Sequence, residues 1–137
     1  DWTMSAPSTV NFLKTVLIVD ALTCLGFGLL LTTGSEFLAG WLGLPVALLF
    51  YAGLILFPCA ALMIITGRQK LPNAGLVWLI IVGNFVWAVA NIGILVLPSI
   101  APTMLGYAFV IAQAIAVCGL AVFEYRLLGD ARRFATA

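Results

Sequence analysis

Apolar residues gather into four long stretches of the chain, and polar or turn-forming residues fall in short clusters between them. The stretches cover residues 12–33, 45–66, 72–97 and 103–124, and each is long enough to cross a hydrocarbon layer of about 30 Å as a helix. Ser8-Thr9 offers a cap for the first, and Gly34-Ser35-Glu36 ends it. Phe37 to Leu42 is too short to cross and is expected along the interface with Trp41 as anchor, although the nearby glycines weaken the case for a regular helix there. Pro45 restarts the chain, Thr66-Gly67-Arg68-Gln69-Lys70 reads as the clearest loop, and Pro72-Asn73 opens the third stretch. Pro98-Ser99-Ile100-Ala101-Pro102 is a tight uncharged turn, and Thr103 can cap the fourth stretch. Glu124-Tyr125-Arg126 marks its exit, with residues 125–137 continuing as a frayed surface helix. This pattern predicts an all-α membrane protein: a single domain, folded as an antiparallel four-helix transmembrane bundle.

The basic residues orient that bundle. Lys14 begins the first span, Arg68 and Lys70 lie between the second and third, and Arg126, Arg132 and Arg133 follow the fourth, while the other two connections hold no Lys or Arg. Because retained loops carry their Lys and Arg on the cytoplasmic side, both termini and the 67–71 loop are expected in the cytoplasm, in a bacterial inner membrane. Residues 1–7 lack a basic leader and the first apolar run exceeds a cleavable one, so it reads as a retained helix, with Met4 a candidate natural start.

Composition narrows the function classes. Of 137 residues, 64% are hydrophobic and 8% charged, with a mean hydropathy of +1.22; little polar sequence is left for a soluble catalytic domain. The net charge of +1 gives no field to attract nucleic acid, and no Gly-rich phosphate loop occurs. Histidine is absent, and Cys24, Cys59 and Cys118 are dispersed in apolar runs, where thiols act as small hydrophobes. No metal site, cofactor or catalytic residue is expected.

What chemistry there is lies within the spans. Asp20 interrupts the first run, Pro58 the second, Asn84 the third and Gln113 the fourth. At 1.5 Å per residue they fall roughly 12–15 Å in from the cytoplasmic ends, so they are expected to converge on one mid-membrane layer. Pro58 removes an N–H and clashes with the Leu54 carbonyl, predicting a kink and a freed acceptor. Asn91, two turns beyond Asn84 with Trp87 between them, would extend the layer as a polar stripe. Asp20 has no cation at its depth, so desolvation favours a neutral acid able to donate to Asn84, Gln113 or the Leu54 carbonyl. Two readings stay open for Asp20: interhelical glue, or a proton, ion or ligand site. Ala108, Ala112 and Ala116 form a small-residue stripe suited to packing inside the bundle or to a second copy or partner. Trp41, Tyr51, Tyr107 and Tyr125 read as interface anchors, and Glu124, Arg126, Asp130 and Arg133 as a solvated helix face.

The layout of four short-looped spans with cytoplasmic termini resembles small bacterial inner-membrane proteins of the DoxX-like type, a family that includes accessory components of quinol-oxidising membrane systems. Small multidrug resistance transporters are similar in having four spans and an acidic residue in the first. This chain departs from them in its length, in the residues around Asp20 and in its one-sided basic residues. The expectation is therefore a non-enzymatic accessory, assembly or lipid- or small-molecule-binding component of a membrane complex, in contact with membrane lipids. The alternative is a small proton-coupled transporter with Asp20 as its proton- or cation-binding carboxylate.

Overall fold

A computed structural model describes residues 6–136, and the side chains of residues 8–131. The described residues form five helices and no strand: α1 (Ala6–Thr33), α2 (Ser35–Leu42), α3 (Val46–Arg68), α4 (Ala74–Leu95) and α5 (Met104–Thr136). All but α2 are long and apolar enough to cross a membrane, which fits an integral membrane protein. Their outward faces carry large apolar side chains such as Leu22, Leu29, Val86, Val89 and Ile115, as a hydrocarbon surround permits.

Side chains set the helix starts at two places. Asn73 accepts the Leu76 N–H at 3.2 Å and so caps α4, one residue inside the expected opening at Pro72. Thr103 Oγ1 accepts the Gly106 N–H at 3.1 Å at the start of α5 and donates to the Trp41 carbonyl at 2.7 Å. The Thr103 N–H in turn donates to the Leu42 carbonyl at 3.0 Å. These bonds dock α2, a regular helix despite its glycines, onto the head of α5. The chain leaves α2 through Gly43 at φ 68°, a left-handed conformation that disfavours a side chain.

Helix α1 packs chiefly on α3, α4 chiefly on α5, and the two pairs join mainly along α1 and α5, with a slighter contact between α3 and α4. Small residues bring the first pair close. A methyl group on Gly53 would lie 2.9 Å from Leu31 Cβ and 3.0 Å from the Gly28 carbonyl oxygen. Two apolar clusters result, one around Leu17, Met63, Val77 and Ile81 and the other around Leu31, Leu42, Leu56 and Val110.

Several expectations are corrected here. Ser8 and Thr9 lie inside α1, and Thr9 is buried, so they are not its cap. Helix α5 continues beyond residue 124 as expected, but not as a surface helix. It runs on to Thr136, and Leu127, Leu128 and Ala131 are buried because α1 and the 69–73 connection extend alongside and supply partners such as Leu13. The stripe of Ala108, Ala112 and Ala116 is exposed, and Gly106, Val110, Ala114 and Ala121 make the packed face of α5 instead. Pro58 lies inside α3, where the sequence places it, and the helix continues through it. The side chains of Arg132 and Arg133, and residues 1–5 with the candidate start at Met4, lie outside the described residues.

Candidate functional site

The site is built around Asn84, ten residues and about 15 Å into α4. Its Nδ2 donates to Asp20 Oδ2 at 3.1 Å and to Glu124 Oε1 at 2.8 Å, joining three helices through one amide. All three side chains are buried, Asp20 at 3%, Asn84 at 7% and Glu124 at 0% exposure. The two carboxyl groups also interact directly, and Glu124 Oε2 is sealed from the surface without a hydrogen-bonding partner. Asp20 Oδ1 receives only the Cys24 thiol, at 3.8 Å. Among the described residues neither carboxyl pairs with a Lys or Arg.

The expected meeting of Asp20 with Asn84 therefore occurs, but the third member is Glu124. Gln113 takes no part in this layer and hydrogen-bonds to no described residue. Eleven positions separate Gln113 from Glu124, just over three turns and about 16 Å, so both project from the same side of α5 at different heights. Reading Glu124 as part of a solvated face is overturned by its complete burial. The signal that could have found it is the spacing of Ala121, Glu124, Leu128 and Ala131, a buried stripe at intervals of three and four that carries on past the expected membrane exit.

Beside this triad lies a cavity of about 560 Å³, lined by residues of all four long helices. Asp20 and Asn84 form part of its wall, and Pro58, Cys59, Trp87, Phe109 and Gln113 contribute to the rest. Most of the wall is apolar. Exposed residues of all four long helices line the cavity, Thr23 on α1, Pro58 on α3, Leu79 and Gly83 on α4, and Ala112 and Ala116 on α5, so it is open at the bundle surface. A second cavity of about 360 Å³ lies beyond it, and Trp87, Phe109 and Gln113 line both. Phe109 is held edge-on by Phe27, with ring centroids 6.1 Å apart. Asn91 belongs to the second cavity, where its Nδ2 donates to the Trp87 carbonyl at 2.8 Å, so the stripe from Asn84 to Asn91 is real but serves two chambers.

The cavity decides what the site can do. A dry, closed layer of hydrogen bonds would make Asp20 glue alone; here Asp20 and Asn84 both bond across helices and face an open space large enough for a small ligand. Among the described residues no group of three His, Cys, Asp or Glu side chains is placed to hold a metal ion. Comparison with protein-family models, curated proteins and solved structures finds no match for this chain.

Proposed function

We propose that the protein is a non-enzymatic membrane component that takes a lipid-soluble small molecule into this cavity from the side, as an accessory or assembly member of a membrane complex. The observation that carries the reading is the cavity itself: apolar walls, exposed residues at its rim, and a polar patch at Asp20 and Asn84. Pockets that hold small ligands share this design, with mostly hydrophobic linings and few placed polar groups. The layout resemblance to DoxX-like accessory proteins agrees with it.

Helices alternating across a bacterial inner membrane, with both termini and the 67–71 loop in the cytoplasm, complete the proposal. It is supported by the one-sided Lys and Arg residues and by the register of α1 on α3, in which Gly67 meets Leu17 and Ile18 while Gly53 meets Leu31. Of the stripe of Ala108, Ala112 and Ala116, the last two line the cavity, which leaves Ala108 as the member offered to a second copy or a partner helix.

Gentle solubilisation of native membranes, followed by mass spectrometry of accompanying proteins and retained small molecules, tests this. A retained lipid-soluble molecule and a partner complex are expected; the free protein carrying neither refutes the reading. The carboxyl pair beside the cavity favours one second reading, a proton-coupled carrier. In that case Asp20→Asn abolishes transport in proteoliposomes while the protein stays folded, and undiminished transport eliminates it.

A further inference from the structure

The hydrogen bonds around Asn84 restrict the chemistry of the ligand. An amide has two N–H donors and one carbonyl acceptor. The two flanking carboxyl groups fix its orientation, because a flipped amide would turn its oxygen toward two acceptors. Both donors are thereby consumed. Asn84 Oδ1 accepts from no described residue, and Asp20 Oδ1 holds only a weak thiol contact. Thr23, another polar residue on this wall, spends its hydroxyl on the Val19 carbonyl at 2.9 Å. At this end, then, the cavity presents two acceptor oxygens, Asp20 Oδ1 and Asn84 Oδ1, and no Lys or Arg is paired to either carboxyl group among the described residues, so a bound cation would supply Asp20 with the countercharge it lacks. A phosphate or carboxylate head would bring its own negative charge beside two carboxyl groups that no Lys or Arg balances among the described residues.

We infer that the ligand of this cavity is an amphiphile with a primary ammonium head on Asp20 and Asn84 and an apolar body leaving at the open wall. The inference rests on the cavity-binding reading above and specifies its ligand. A primary ammonium supplies three N–H donors and the missing positive charge. A hydroxyl supplies one donor without charge, and a quaternary ammonium supplies charge without a donor. The apolar body lies along Leu79, Gly83 and Pro58, where the wall is open. Toward the other end of the cavity Gln113, bonded to no described residue, offers both a donor and an acceptor to any polar group further along the ligand.

Four photoreactive probes with one common dodecyl chain test this in the full-length protein in neutral phosphatidylcholine vesicles, which add no surface charge. Their heads are primary ammonium, trimethylammonium, hydroxyl and carboxylate, and labelled peptides are mapped by mass spectrometry. The primary ammonium probe is expected to label the α3 and α4 cavity residues at least tenfold more than the carboxylate probe, and severalfold more than the other two. Asp20→Asn is expected to bring it down to the hydroxyl level. Because the wild-type comparison needs no variant, a folding defect in Asp20→Asn leaves the test intact. Equal or stronger cavity labelling by the hydroxyl, quaternary or carboxylate probe overturns the ammonium assignment and leaves cavity binding standing. Failure of all four to label the cavity overturns cavity binding and this inference together.

Discussion

Asn84 and Gln113 are both amides within apolar helices, yet removing them should have very different consequences. Asn84→Ala deletes a donor shared by two buried carboxyl groups. Hydrogen bonds within membranes average about 0.6 kcal/mol and reach about 1.7 kcal/mol. Two lost bonds therefore cost roughly 1–3.5 kcal/mol, and leaving two buried carboxyl groups face to face without their bridge pushes toward the upper end. Gln113 bonds to no described residue, so Gln113→Ala should fall within about 0.5 kcal/mol of wild type. Reversible unfolding by sodium dodecyl sulfate in mixed micelles, followed by circular dichroism, measures both. Adding Glu124→Gln closes a double-mutant cycle, which should return a coupling of at least about 0.5 kcal/mol between Asn84 and Glu124. If Asn84→Ala and Gln113→Ala are equally mild, or the cycle shows no coupling, the three-helix bridge does not hold the bundle together.

Glu124→Lys places an ammonium group in a fully buried position and should prevent recovery of monodisperse protein, whereas Arg126→Glu, two residues on and exposed, should leave yield and elution unchanged in size-exclusion chromatography. Ending the chain after Glu124 removes the buried Leu127, Leu128 and Ala131; at about 1.5–3 kcal/mol per leucine, the expected loss of roughly 3–6 kcal/mol appears as a markedly lower melting temperature of the purified protein. Gly83 lines the cavity, and a methyl group there would meet nothing within 4 Å, so Gly83→Phe should preserve the fold by circular dichroism while sharply reducing the small molecule retained on purification. Gly53→Leu, by contrast, has no room against Leu31 and the Gly28 carbonyl and should destabilise the α1–α3 pair by several kcal/mol in the same unfolding titration.

Asp20 and Asn84 were legible in the sequence because each is a polar exception inside a run whose environment is set by length and apolarity alone. Glu124 was not legible in the same way. Beside Tyr125 and Arg126 it has the local signature of a membrane exit, and only the neighbouring α1, extending alongside through Leu13 and Leu17, turns that segment into buried helix. Gln113 misled for the complementary reason. Its depth along α5 resembled that of Asn84, but which residue reaches Asn84 depends on how α5 is tilted and shifted against α4, and Gln113 and Glu124 share one face. The stripe of Ala108, Ala112 and Ala116 similarly has the spacing of a packing face but is not buried against a helix: all three are exposed, and Ala112 and Ala116 line the cavity, since a rotation of about 100° per residue lets several faces of one helix carry small side chains.

By itself the sequence determined that the chain is helical, that four helices are of membrane-spanning length, and which apolar runs carry polar exceptions. These are properties of single segments: apolar length, turn residues and helix caps act locally. Tertiary structure alone decided that the four helices surround a cavity open at the bundle surface, and that Asp20 shares one amide with Glu124 across 104 positions of chain. Those facts depend on the rotation, height and neighbours of each helix. In a chain whose surfaces are apolar on nearly every side, hydrophobic periodicity cannot supply them, and close small-residue contacts together with a few buried hydrogen bonds do.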